Sequence, residues 1–116
     1  MSCFYMLLKN VFFWGTGATE GTVGEEAKIE RRLVSKVADA GGMCLKWTGA
    51  VGVPDRIVLL PQGQVVFVEV KAAGGKLSPM QLLMHKKLRS LGARVEVVWS
   101  NSDVDTLMQS WRTIAP

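Results

Sequence analysis

The sequence predicts an α/β domain in which helices flank a central mixed β-sheet. Amphipathic segments with the period of a helix lie towards both ends of the 116-residue chain. Between them, three short segments rich in β-branched residues are joined by turns, and a further helix and strand follow. The predicted order is therefore α-β-β-β-α-β-α, a three-stranded meander continued by a βαβ crossover and closed by a C-terminal helix.

Size and composition are those of a single domain with one modest core, since 48% of the residues are hydrophobic. No uncharged apolar run reaches the roughly 18 residues that a membrane span needs. The two cysteines, Cys3 and Cys44, make no disulfide framework, and the single His85 adds no plausible zinc site. We therefore expect an intracellular protein with both thiols reduced and no membrane association.

The first helix is predicted to begin at residue 22, after an N-terminal extension over residues 1–21 that is apolar and then rich in Gly and Thr. Thr22 and Glu25 fit the capping box, in which a Thr caps the helix and a Glu three residues later reaches back. Gly41 and Gly42 end the helix. The extension is either a dimerisation arm or a poorly ordered segment, and residues 22–116 form the predicted domain.

Strands are predicted over residues 43–47, 55–60, 65–71 and 94–99. Before the last strand, Ser78 at the N-cap, Pro79 at N1 and Gln81 at N3 open a second helix that Gly92 ends. The predicted apolar face of this helix is Met80, Leu83, Met84, Leu88 and Leu91. A final helix begins at residue 101 or 102, with an apolar face of Val104, Leu107, Met108 and Trp111.

The third strand carries two charges on one face. Because alternate residues of a strand point the same way, Glu69 and Lys71 lie on one side and the neighbouring valines on the other. With a three-residue turn at residues 61–63, or a bulge at Gly63, Asp55 falls opposite Glu69; a two-residue turn would put Asp55 on the other face. Opposed carboxylates repel each other unless a cation lies between them. We predict that Asp55 and Glu69 share a face and bind a metal ion.

An acidic residue of the first helix offers a third carboxylate. At about 100° per residue, Glu26 falls within the apolar stripe of this helix, whereas Glu30 lies about 40° from its centre and is the second choice. A salt bridge to an internal Lys or Arg is the structural alternative for Glu26. Hard oxygen ligands of this kind favour Mg²⁺ or Mn²⁺.

Basic residues follow the cluster and indicate a polyanionic partner. Between residues 71 and 94 there are six Lys or Arg residues and no acid, which suits phosphate binding, although a solvated helix face is the alternative. Lys71 would help to deprotonate a metal-bound water or stabilise the charged transition state. The residues therefore indicate metal-assisted phosphodiester hydrolysis.

Three segments, GVPD at residues 52–55, FVEVK at residues 67–71 and GGKLSPMQ at residues 74–81, resemble the virus-type replication-repair nuclease (VRR-NUC) family of the PD-(D/E)XK nuclease superfamily. The resemblance implies that superfamily's αβββαβ core and a Mg²⁺- or Mn²⁺-dependent endonuclease acting on structured or branched DNA. It implies Asp55 and Glu69 as metal ligands, helped by the Val70 carbonyl, with Glu26 as the acid of the first helix. It also implies Lys71 as the catalytic lysine and Gln81 as a polar site residue.

Some residues keep two interpretations. Arg56 stands where the family usually has an apolar residue, and it either contacts DNA or pairs with an acid. Gln81 also suits a capping box. His85, one turn further, is typical of a surface or DNA-facing position and is assigned no role. The remaining candidates for DNA binding are Lys76, Lys86 and Lys87.

The predicted function is cleavage of four-way junctions or flaps during replication, repair or recombination. A four-way junction has two equivalent scissile sites, which a two-fold homodimer built from the apolar N-terminus and residues 95–99 would match. The small stand-alone form suggests a phage, and hence the cytoplasm of a bacterial cell or phage-infected host. The alternatives are a non-catalytic DNA-binding module or accessory domain of a repair complex and, more weakly, a restriction-type endonuclease.

Overall fold

The computed structural model describes the backbone of residues 24–114 and the side chains of residues 24–111. Its elements are α1 (Glu25–Asp39), β1 (Met43–Lys46), β2 (Arg56–Leu60), β3 (Gln64–Val70), α2 (Pro79–Ser90), β4 (Arg94–Val98) and α3 (Asn101–Ile114). This is the predicted order, with every predicted element present. The predicted extension over residues 1–21 lies outside the described residues. In the described part, no helix is both long enough and apolar enough to cross a membrane.

Helix α1 begins later than predicted. Its N-cap is Gly24, which makes no side-chain cap hydrogen bond, so the predicted capping box of Thr22 and Glu25 is wrong. Glu25 and Glu26 instead occupy the first turn of the helix. Their negative charges face the positive end of the helix dipole, which stabilises this end without a capping side chain.

Both α1 and α2 end at the predicted glycines. The N–H groups of Gly41 and Gly42 donate back to carbonyls of α1 at 3.0 and 2.9 Å, and those of Gly92 and Ala93 do the same for α2 at 2.9 and 3.0 Å. Gly41 and Gly92 have φ of +86° and +89°, so each helix closes in a Schellman motif. The tight turn after α1 sends the chain straight into β1, which therefore runs back along the helix.

The sheet has the order β1-β2-β3-β4. Strands β1, β2 and β3 pair antiparallel, and β3 pairs parallel with β4. A parallel pair needs a crossover, and α2 provides it between β3 and β4. The predicted mixed sheet, a meander extended by a βαβ unit, is confirmed.

The turn between β2 and β3 sets the register on which the site depends. It spans Pro61–Gly63, and the strands pair from Leu60 with Gln64 to Arg56 with Val68. Gln62 and Gly63 take positive φ values of 68° and 76°, which let three residues reverse the chain. The three-residue connection of the predicted register is confirmed. One further step along the ladder brings Asp55 opposite Glu69.

One face of the sheet is the hydrophobic core. Val66, Val68 and Val70 of β3 are buried on this core face, as predicted from their alternation. Helices α1 and α3 cover it. The other residues of this hydrophobic cluster with no more than 3% exposure are Ile29, Leu33, Val37, Val58, Val98 and Val104.

The opposite face, which we call the α2 face, carries Phe67 and Glu69 of β3. Helix α2 packs on it with a different side from the predicted one: Met80 and Leu83 are each 46% exposed and Leu91 is 84% exposed. The side chains turned inward lie on the face of Gln81, and His85 is the buried residue of α2. The predicted apolar face is therefore wrong in part, because this helix covers a polar site as well as apolar residues.

The N-termini of all three described α-helices lie at the same end of the sheet. Helices α2 and α3 follow the C-terminal ends of β3 and β4, and α1 runs antiparallel to β1. The positive ends of three helix dipoles therefore lie at the end of the sheet where β3 and β4 finish and β2 begins. This end of the sheet favours negatively charged ligands.

Candidate active site

Asp55, Glu69 and Lys71 come together where β2 begins and β3 ends. Asp55 directly precedes β2, Glu69 is the penultimate residue of β3 and Lys71 directly follows it. Glu69 and Lys71 share the α2 face, since Lys71 Nζ lies 3.9 Å from Glu69 Oε2. The alternation of β3 therefore brings together the two charges that the sequence predicted to share a face.

Backbone contacts hold Asp55 in place. Its Oδ2 accepts a 2.9 Å hydrogen bond from the Val70 N–H, and its carbonyl accepts a 3.0 Å bond from the Trp47 N–H. The preceding Pro54 is fully buried. Asp55 is thus fixed by backbone contacts with both neighbouring strands.

Glu69 is 2% exposed, which is unusual for a carboxylate. Its Oε2 accepts a 3.1 Å hydrogen bond from Gln81 Nε2. Its Oε1 has no hydrogen-bond partner among the described residues and lies 3.9 Å from His85 Nε2. A buried acceptor without a donor is costly, so a further positively charged or hydrogen-bonding group beside it would be stabilising.

The surroundings of Glu69 raise its pKa to about 8. Burial is the largest cause, followed by the negative charge of Asp55 and a hydrogen bond between the two carboxyl groups. Lys71 opposes the rise, and the charge of Glu26 adds to it. Without a cation, Glu69 therefore retains its proton at neutral pH, and a bound metal ion would replace that proton.

Gln81 forms the capping box and also contacts Glu69. Its Oε1 accepts the Ser78 N–H at 2.9 Å and its own N–H donates to Ser78 Oγ at 3.1 Å, which completes the capping box. Its Nε2 is then free to hold Glu69. The cap fixes the side chain in the orientation in which its amide reaches the carboxylate.

The first helix directs a different acid inward from the one predicted. Glu26 is exposed rather than buried in the apolar stripe, although its charge acts on Glu69. Glu30 is the partly buried acid, and it pairs with Arg56 at 2.6 Å and with Lys46 at 3.7 Å. The apolar stripe alone did not locate the acid, because the rotation of α1 against the sheet is set by packing.

Arg56 lies away from the α2 face. As the residue after Asp55 in an extended segment, it points to the core face, where it is 1% exposed and bonds to Glu30 and the Cys44 carbonyl. The second interpretation from the sequence, pairing with an acid, therefore describes Arg56, and its expected DNA contact is not retained. Lys76, Lys86 and Lys87 are exposed, as DNA binding requires.

The residues present fit a hard divalent cation. In residues 24–111, no group of three His, Cys, Asp or Glu side chains is arranged to hold a metal by itself. Mg²⁺, however, is commonly held by one or two carboxylates and keeps several waters. Asp55 and Glu69 supply that minimal set, and Glu69 Oε1 is buried with no hydrogen-bond partner in the part of the chain that the structure describes.

His85 is the residue that the sequence analysis missed. It is 1% exposed and lies beside Glu69, not at the surface. The available signal was its spacing: Gln81 and His85 are four residues apart, so they lie on one face of α2. A polar pair at this spacing, opposite a strand that carries a glutamate, indicates a helix that faces a site.

Comparisons with known proteins agree on one family. The VRR-NUC domain matches residues 21–102. A relative named "Putative nuclease p44", from Acyrthosiphon pisum secondary endosymbiont phage 1, is 44% identical over 85 residues, which cover 72% of this chain and 90% of the relative. A solved VRR_NUC domain structure has a TM-score of 0.71 and 35% identity, covering 77% of this chain and 99% of that one. With its αβββαβ core and its paired Asp55 and Glu69 beside Lys71, the chain belongs to the VRR-NUC domain family.

Proposed function

We propose that this VRR-NUC protein is a Mg²⁺- or Mn²⁺-dependent endodeoxyribonuclease that hydrolyses phosphodiester bonds in branched DNA, such as four-way junctions or flaps. The observation that carries the proposal is the buried Glu69 carboxylate next to Asp55 and 3.9 Å from Lys71 Nζ. Family membership and the phage relative named as a nuclease support the reaction class. The phage relative also supports action in the cytoplasm of a bacterial cell or phage-infected host.

Asp55 and Glu69 would hold the metal ion, with the Val70 carbonyl as a further oxygen donor, while the exposed Glu26 would act on the site through its charge. When bound, the ion would lower the pKa of a coordinated water and offset the charge of the phosphate. The protein prepares the carboxylates for this role. Gln81 orients Glu69, and the Val70 N–H orients Asp55. Both carboxylates are therefore already held by hydrogen bonds before the ion binds, which reduces the conformational entropy lost on metal binding.

Lys71 is the residue placed to handle charge during hydrolysis. The reaction forms a bond from a water oxygen to phosphorus and breaks the bond from phosphorus to one ester oxygen. The attacking water loses a proton and the departing oxygen gains one. Lys71, partly buried beside Glu69, either accepts the proton from water or, as an ammonium ion, stabilises the negative charge on the phosphate.

Exposed basic residues would bind the DNA backbone close to this end of the sheet. Lys76 lies in the loop after β3, and Lys86 and Lys87 lie on α2. Together with the three helix N-termini they favour a phosphate backbone over a neutral ligand. A homodimer would present two such sites to the two equivalent strands of a junction. A monomer in sedimentation at micromolar concentration would argue against that assembly.

Cleavage of defined DNA substrates tests the proposal. We expect Mg²⁺-dependent cutting of a four-way junction or a flap, with less cutting of linear duplex. Asp55→Asn removes a ligand charge and Lys71→Ala removes the charge-handling group, so each substitution should lower the rate by about 10²–10³-fold. Labelled linear, flap, splayed-arm and four-way-junction DNA should be compared in one assay.

Lys36→Ala is the matched control, because Lys36 is exposed in the last turn of α1, at the other end of the helix. Its rate should equal that of the unsubstituted protein. DNA binding without metal-dependent cutting of any substrate would instead favour a binding module. Cutting that survives both Asp55→Asn and Lys71→Ala would place the reaction elsewhere.

A further inference from the structure

His85 is a buried polar residue without an explanation in the proposed reaction. It is 1% exposed, and neither Nδ1 nor Nε2 has a hydrogen-bond partner among the described residues. Most buried polar side-chain atoms in proteins are paired, and an unpaired one indicates strain, an unbound ligand or a functional role. Leucine at this position would fill the same space without that cost, so packing alone does not account for a histidine.

The unpaired nitrogen faces an unpaired oxygen. His85 Nε2 lies 3.9 Å from Glu69 Oε1, and neither atom has a hydrogen-bond partner within residues 24–111. This distance exceeds that of a hydrogen bond by about 1 Å. A small rotation of the carboxylate closes the gap, and such contacts commonly tighten when a site is loaded.

Two residues of α2 lie beside different oxygens of the Glu69 carboxylate. Gln81 Nε2 donates to Oε2 at 3.1 Å, and His85, one turn along the same face, is directed at Oε1. Each carboxylate oxygen has two lone pairs, so a donor on each leaves capacity for a metal ion. Two donors from one rigid helix would fix the plane of the carboxylate as well as its position.

We infer that His85 is a positioning residue, whose neutral imidazole donates its Nε2–H to Glu69 Oε1 and holds this carboxylate in the orientation that binds a divalent cation. The inference rests on the metal-binding part of the proposed function. Outer hydrogen bonds of this kind orient the ligands of metal sites, and their loss typically weakens metal binding by about 10–100-fold. His85 itself would not touch the DNA or the ion.

Direct binding of Mn²⁺ to the full chain, without DNA, tests this role. Titration followed by electron paramagnetic resonance gives the affinity of the unsubstituted protein, His85→Leu and His85→Gln. We expect His85→Leu to weaken Mn²⁺ binding by about 10–100-fold while its melting temperature stays equal or rises, since two unpaired buried nitrogens are removed. His85→Gln keeps a donor, so its affinity should recover to within a few-fold of the original.

Leu88→Met is the matched control, because Leu88 is a partly buried residue of the same helix and this swap conserves volume. Unchanged Mn²⁺ affinity in His85→Leu would overturn the inference, as would nitrogen hyperfine coupling to bound Mn²⁺, which would make His85 a direct ligand. A protein that does not bind Mn²⁺ would refute both the inference and the proposed metal site. Mn²⁺ binding that depends on His85, without DNA cleavage, would refute the nuclease proposal alone.

Discussion

Neighbouring residues at the start of β2 point in opposite directions, and two charged side chains therefore have different surroundings. Asp55 lies beside Glu69 in the site, whereas Arg56 is enclosed on the core face with Glu30. The buried guanidinium is a structural group: its Nε bonds to Glu30 at 2.6 Å and its Nη1 to the Cys44 carbonyl at 3.5 Å. Arg56 thus ties α1 to the sheet behind the site.

The two partners of this ion pair should differ in the cost of their removal. Glu30→Ala leaves a 1%-exposed guanidinium without its carboxylate, so we expect a loss of about 3–5 kcal/mol in unfolding free energy. Arg56→Met leaves Glu30, which is 18% exposed and lies 3.7 Å from Lys46, so we expect a smaller loss, about 1–2 kcal/mol. Urea denaturation measures both values. An equal or larger loss for Arg56→Met would contradict this account.

At the scale of elements, close backbone contact positions α2 over the sheet. Gly52, in the loop before β2, has φ of +84°, and a Cβ there would lie 2.6 Å from the Met80 carbonyl oxygen. The glycine lets this loop approach the first turn of α2. That turn carries Gln81, so the contact also determines how the helix meets Glu69.

Gly52→Ala should therefore disturb both stability and the site. The methyl group meets backbone atoms, and positive φ is strained for alanine, so we expect a loss of about 1–3 kcal/mol in unfolding free energy and weaker Mn²⁺ binding. Gly49→Ala is the control, because its Cβ would meet only the Trp47 side chain, at 3.4 Å. Stability and Mn²⁺ binding that are the same in both variants would show that the close approach is unimportant.

At the scale of the whole molecule, the sheet separates stability from chemistry. Two helices, α1 and α3, bury the valine-rich core face, while α2 covers the other face and leaves Asp55 and Lys71 partly exposed at its end. Burial of Glu69 raises its pKa, so folding favours the protonated acid. Above the ordinary pKa of a glutamate, this burial lowers the free energy of unfolding of the domain. Under the proposed function, a bound cation would offset that loss.

The metal-free protein should lose stability as pH rises. Glu69 has a pKa of about 8 in the folded state against 4.5 ordinarily, so its contribution is complete below pH 4.5 and is lost as pH rises through about 8. The lowered pKa of His85, caused first by burial and then by Arg89, acts only as pH falls below its ordinary value of 6.5. Between about pH 6.5 and 8 we therefore expect Glu69 to lower the unfolding free energy by about 1–2 kcal/mol.

Urea denaturation at several pH values, with chelator or with Mg²⁺, measures this dependence. The Glu69→Gln variant lacks the titrating group, so its stability should change less over the same range. Saturating Mg²⁺ should reduce the slope of the unsubstituted protein, because the cation replaces the proton. Parallel curves for the protein and for Glu69→Gln in chelator would contradict the assignment of the raised pKa to Glu69.

Much of the fold could be predicted from local patterns. Strand alternation separated the valines of β3 from Glu69 and Lys71, and glycines marked the ends of α1 and α2. The register of Asp55 depended on the length of the turn, which the sequence left open between three residues and two. The buried sides of the helices were less predictable. The apolar residues of α2 did not identify its buried side, because that side covers Gln81 and His85 as well as the sheet.

The sequence by itself determined the order of elements, the pairing of the meander, and the shared face of Glu69 and Lys71. These depend on the two-residue period of strands and on short turns, which act over a few residues. Tertiary structure alone decided that Glu30 faces inward, that Arg56 is buried, and that His85 meets Glu69. A helix can pack with any rotation about its axis that buries enough apolar surface, so contacts between distant segments choose which polar residues it brings to the site.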